Sequence, residues 1–153
     1  IARGHFTEAD MEQVQARLSH LMATEGVPLG GFHHCPHHPD GSVAGYAIHC
    51  TCRKPFPGLI QAAAREHGVR LVDSWLIGDI LDDVEAGNRA GCRTVLLDNG
   101  GETEWYWAAL RQPTAMVSNL YEAALHILAQ TEAAKAVEPL PESLLSKAKG
   151  GIQ

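Results

Sequence analysis

No apolar run in this sequence approaches the roughly 18 residues of a membrane-spanning helix, and no signal-peptide pattern opens it. Basic residues are in deficit: 12 Lys and Arg stand against 18 Asp and Glu, for a formal net charge of −6. Without a basic stripe to neutralise phosphates, a general role in binding nucleic acid is excluded. Internal repeats and low-complexity runs are absent. Cysteine is scarce, and three of the four thiols (Cys35, Cys50 and Cys52) fall within eighteen positions beside histidines. The fourth, Cys92, lies alone in an apolar stretch and reads as a small core residue. This distribution fits metal-bound thiolates in a reducing cytoplasm better than a secreted disulfide scaffold. Position 1 is Ile, and Ile1 to Asp10 read as a loop feeding a helix with no strand before it. The expectation is a piece of a larger protein that lacks its first strands.

The composition that remains is ordinary for a globular domain, with 45% hydrophobic and 20% charged residues over 153 positions. Thr7 is placed to cap a helix running to about Glu25, with Met11, Val14, Leu18, Leu21 and Met22 at helical spacing. A short strand is expected over residues 31–34. Pro57 and Gly58 open a second helix that Gly68 closes. Buried strands are expected over 74–77, 93–97 and 115–117, with a helix over 82–90, a short helical piece near 106–110, and a last helix from Ser118 or Asn119 to about Gln130. Strands alternating with helices predict an α/β domain: a Rossmann-like parallel sheet with helices on both faces and an inserted metal loop. The expected division is a domain over 1–131, with its metal loop at 35–52, and a loosely attached tail over 132–153. Functional groups in such sheets gather beyond the carboxyl ends of the strands, where Asp79 and Asp98 stand.

Three constellations carry chemistry. Cys35 and His37 form a C-x-H pair, and after twelve residues Cys50 and Cys52 form C-x-C. Three sulfurs and one imidazole make a complete tetrahedral zinc set with no position left open for water, which predicts a structural site. His33, His34, His38 and His49 lie close by as other nitrogen donors, and His33 and His34 are read as ordinary strand or loop side chains. Arg53 and Lys54 follow the last thiol directly. A lysine held there can neutralise phosphoryl oxygens, and a guanidinium can grip a second phosphate or a carboxylate. Asp79 leaves a buried strand and Asp83 follows four residues later at a helix start, a spacing that suits Mg²⁺ with its preference for hard oxygens. Asp82 reads as an acid favoured by the helix dipole.

The run from Cys35 through Cys52-Arg53-Lys54-Pro55, followed by Ile77-Gly78-Asp79-Ile80-Leu81-Asp82-Asp83, resembles the zinc-containing haloacid dehalogenase-type phosphatases. Within these it is most similar to the D-glycero-D-manno-heptose 1,7-bisphosphate 7-phosphatases; histidinol-phosphate phosphatases share a similar loop. The opening IARGHFTEAD also matches a stretch just after that family's second motif, so the likeness runs from Ile1 to about Asp98. It implies Mg²⁺-dependent hydrolysis of a small phosphorylated substrate through an aspartyl-phosphate. By position, Cys35, His37, Cys50 and Cys52 would bind zinc, and Lys54 would be the catalytic third-motif lysine. Arg53 would recognise substrate together with Lys54. Asp79 would ligate magnesium, with Asp83 in support.

Two departures stand beside the resemblance. The D-x-D-G motif that supplies the family's nucleophile and general acid/base is absent, as is the second-motif Thr or Ser, so this chain alone is expected to be inactive. Ile80 occupies the place of the family's usual lysine after the magnesium aspartate. A non-catalytic zinc-braced scaffold is therefore the rival reading from another class.

Overall fold

The computed structural model describes the backbone of residues 1–137. Helix α1 (Glu8–Thr24) starts at a reciprocal cap: the Asp10 amide donates to Thr7 Oγ1 at 3.2 Å, and the Thr7 amide donates to the Asp10 carboxylate at 2.7 Å. None of its residues is buried, and Val14, Leu18 and Leu21 remain exposed. Helix α2 (Gly58–His67), strand β1 (Trp75–Gly78), helix α3 (Leu81–Ala90), strand β2 (Arg93–Leu97), strand β3 (Ala115–Val117) and helix α4 (Leu120–Val137) follow. Gly68 and Gly91 end α2 and α3 in the left-handed conformation, at φ of 64° and 87°, where a side chain would be strained.

The three strands form a parallel sheet in the order β1-β2-β3, with Leu76 opposite Thr94 and Leu96 opposite Met116. Alternation along β2 sorts the core into two faces. Leu96 packs with Leu81 and Val84 of α3, and Thr94 lies under Gly87. Val95 and Leu97 turn the other way, toward Ala123 and Ile127 of α4 and toward Trp75 and Val117. Helices thus cover both faces, as expected for a parallel sheet, and this is why β2 reads as a continuous apolar run. Cys92 is buried beside this core, and burial raises its thiol pKa. Strand β1 pairs only with β2 among the described residues, and its Ile77 is exposed.

Three expectations are corrected, and one element is added. Residues 31–34 form no strand, because no neighbouring strand among the described residues supplies their hydrogen-bond partners. The helical piece expected near 106–110 is a single tight turn at Ala109–Arg111. A second such turn, Leu71–Asp73, had no signal in the local pattern. Helix α4 continues past Gln130 to Val137, through the expected tail boundary at 132, and residues 138–153 of that tail lie outside the described residues. Among the described residues, no helix is long and apolar enough to cross a membrane.

Candidate functional site

The loop from Cys35 to Cys52 contains no helix or strand, yet it brings all four predicted donors together. Cys52 Sγ lies 3.2 Å from both Cys35 Sγ and Cys50 Sγ, and Cys35 Sγ lies 3.6 Å from Cys50 Sγ. His37 Nδ1 stands 3.3 Å from Cys52 Sγ and 3.8 Å from Cys35 Sγ. Donors around a tetrahedral zinc at roughly 2.0–2.3 Å are themselves separated by about 3.3–3.8 Å, so these spacings fit one cation at the centre. The thiols influence one another strongly. At Cys50 burial raises the pKa, but hydrogen bonds from Cys52, the Arg53 amide and Cys35 outweigh it and bring the value down to about 7. Cys52 is pushed up to about 12, first by burial and then by its bonds to Cys50 and Cys35. A cation at the centre would remove this competition, since thiolate is the ligating form.

The loop hands the chain directly to the two cations. Arg53 is exposed and reaches back toward the His37 carbonyl at 3.5 Å. Lys54, half-exposed, forms an ion pair with Asp83, which is only 5% exposed. This bond joins the end of the thiolate loop to the first turn of α3. The other Asp83 oxygen accepts from the amides of Asp79 at 3.2 Å and Ile80 at 3.4 Å, so the carboxylate also fixes the turn leaving β1. Gly78 is required there: a Cβ on it would come within 2.2 Å of the Asp83 Cβ. Asp79 itself stays exposed at the carboxyl end of β1. A cavity of about 420 Å³, lined in part by His34, Arg53, Lys54, Leu76, Ile80 and Asp82, opens beside the pair.

Three supporting residues were not legible from local pattern. Glu102, in the loop after β2, accepts from the Leu81 amide at 2.7 Å and so caps α3 from outside. That bond, with those from the Glu104 and Thr103 amides, lowers its pKa. Gly101 lets this loop pass over Asp79, since a Cβ there would sit 2.7 Å from an Asp79 carboxylate oxygen. Arg111 bonds Asp82 and Glu85, each at 2.7 Å, so Asp82 serves in an ion-pair brace as well as at the helix start. The acid-rich turn after a buried strand was a signal for part of this arrangement. The Glu102 cap spans 21 positions and carried none.

The sequence and the fold have relatives. The sequence profile of the HAD-hydrolase-like family matches residues 51–123. The D-glycero-β-D-manno-heptose-1,7-bisphosphate 7-phosphatase of Yersinia pestis is 39% identical over 102 residues, covering 67% of this chain and 54% of the relative. The enzyme of that name from Pseudomonas aeruginosa is 34% identical over 128 residues, covering 84% of this chain and 68% of its own length. The crystal structure of D,D-heptose 1,7-bisphosphate phosphatase from B. bronchiseptica, complexed with magnesium and phosphate, superposes with a TM-score of 0.69 at 30% identity. That match covers 84% of this chain and 69% of the other. The chain therefore spans about half the length of the Yersinia relative and about two thirds of the other two. A shared fold and identities of this size over most of the chain show that it belongs to the haloacid dehalogenase-type phosphatase family, in the group of the heptose 1,7-bisphosphate phosphatases.

Proposed function

We propose that the intact protein is a Mg²⁺-dependent phosphatase that removes one phosphate from a sugar bisphosphate of the heptose 1,7-bisphosphate kind. The observation that carries this reading is the Lys54–Asp83 pair, held at the carboxyl end of β1 and flanked by exposed Arg53 and Asp79. A buried carboxylate that fixes an ammonium group in place presents a preorganised positive charge to a phosphoryl oxygen. Arg53 offers a planar fork for a second anionic group of the same substrate, which suits a bisphosphate. The relatives' names point the same way, toward heptose bisphosphate rather than histidinol phosphate.

In this reading Cys35, His37, Cys50 and Cys52 bind a structural zinc that holds Arg53 and Lys54 in place. Asp79 is the chain's magnesium ligand, and a bound magnesium ion would neutralise charge on the phosphate. Asp83 supports the site by fixing Lys54 and the Asp79 turn. A carboxylate nucleophile, the part of the family's first motif, has no D-x-D counterpart in these residues and is assigned to the remainder of the protein. That carboxylate would attack phosphorus while the sugar alkoxide leaves with a proton. Water would then cleave the acyl phosphate to release inorganic phosphate and regenerate the carboxylate. The thiolate-rich cluster suits the reducing cytoplasm.

Phosphate release by the intact protein from heptose 1,7-bisphosphate, with Mg²⁺ or with chelator, tests the proposal. Release that needs Mg²⁺ and falls about 10²–10³-fold in Lys54→Met is the expected result. No release from any sugar bisphosphate would sink it, and preferential release from histidinol phosphate would move the substrate assignment.

A further inference from the structure

A second cluster of metal-type donors lies just upstream of the thiolate loop. His33 sits in the irregular segment before Cys35, and Glu66 and His67 close the last turn of α2. Their ligand atoms all fall within 4.8 Å of one another. Glu66 places one carboxylate oxygen 3.9 Å from His33 Nε2 and the other 3.8 Å from His67 Nε2, both beyond hydrogen-bond reach. The two imidazoles meet edge to face, with centroids 5.8 Å apart.

Two independent features indicate that this gap suits an ion. His33 Nε2 is buried and, among the described residues, has no hydrogen-bond partner, a condition that buried polar atoms rarely tolerate. Gly31 borders the same space. A Cβ on Gly31 would lie 2.6 Å from His67 Nε2 and 3.3 Å from His33 Nε2, so glycine leaves open the spot toward which both nitrogens are turned. Its backbone there is not left-handed, so steric room accounts for the glycine where conformation does not.

We propose that His33, Glu66 and His67 form a second transition-metal site, separate from the Cys-His cluster and independent of the phosphatase reading. Two imidazoles and one carboxylate suit Zn²⁺, Co²⁺ or Ni²⁺ and disfavour Mg²⁺, which takes oxygen ligands. Metal–nitrogen and metal–oxygen bonds of about 2.0–2.2 Å need ligand separations of about 3.3–3.5 Å, so ligand atoms that now lie within 4.8 Å of one another draw closer on binding. Three protein ligands leave one coordination position to water. The ion ties the irregular segment at 31–34, which has no strand partner among the described residues, to the end of α2.

Zinc loading of the full chain, followed by removal of free metal and metal analysis, tests the site. The wild type is expected to retain two zinc ions per chain, and His67→Ala and Gly31→Ala one each. Cobalt substitution separates the two sites, because only the Cys-His cluster gives sulfur-to-cobalt charge-transfer absorption, and both variants should keep that band. One ion in the wild type alongside an intact thiolate band overturns the proposal, as does retention of two ions by His67→Ala. Gly31→Ala carries the test if His67→Ala does not fold. A wild type without the thiolate band refutes the zinc cluster alone, and any single ion lost on His67→Ala still supports this second site.

Discussion

The thiolate loop and strand β2 are ordered by different physics. From Thr94 to Leu97 every residue of β2 is buried, sealed by α3 on one face and α4 on the other. From Cys35 to Cys52 no residue is fully buried and no regular element forms, yet four donor atoms converge. Burial is non-directional and tolerates exchange of one apolar residue for another of similar volume. Coordination is directional and depends on four particular atoms. The first region gives the domain its fold, and the second presents two cations at the edge of that fold. Lys54–Asp83 is where the two meet.

Metal removal should separate the regions most sharply. Structural zinc in small metal-folded units contributes about 10–16 kcal/mol of apparent binding free energy, and in the proposed reading coordination is what orders the loop. Chelator treatment is expected to abolish hydrogen-exchange protection at loop amides such as His38, whose bond to the Tyr46 carbonyl is 3.1 Å, while the amides of β2 stay protected. Equal loss in both regions would show that the sheet also depends on the cluster.

Leu96→Ala breaks the other member of the pair. Truncating this fully buried side chain is expected to destabilise the domain by about 2–5 kcal/mol in denaturant unfolding, with zinc content unchanged. Zinc loss in that variant under native conditions would contradict the separation.

The smallest effect sharpens the junction. Glu102→Gln weakens the outside cap on α3 and is expected to cost about 1 kcal/mol at neutral pH. The Leu81 amide, and then the Glu104 and Thr103 amides, hold the Glu102 pKa below the ordinary glutamate value. The stabilisation is therefore full above that ordinary value and disappears as pH falls through the lowered one. Unfolding curves of wild type and Glu102→Gln should converge in acid, and a constant gap would remove Glu102 from the role.

Much of this was readable residue by residue. The bounds of β2 and β3 coincide with their expected spans; for β2 the reason is that a strand covered on both faces is a short continuous apolar run. The Cys-x-His and Cys-x-Cys pairs were readable because ligand softness belongs to the side chain itself. Residues 31–34 were misread as a strand because β structure depends on a partner that local sequence does not name. His33, read as an ordinary side chain, lies against Glu66 and His67 only because α2 returns beside it.

By itself, the sequence determined the α/β class, the buried runs and the identity of the four soft donors, since periodicity and ligand chemistry are local properties. Only the tertiary structure decided that Asp83 grips Lys54 across 29 positions, that Glu102 caps α3, and that Gly31 leaves room between two imidazoles. Those contacts arise where separate elements cross. Their bonding partners are set by the packing of the sheet and its helices, and such long-range closure leaves no mark on the spacing of neighbouring residues.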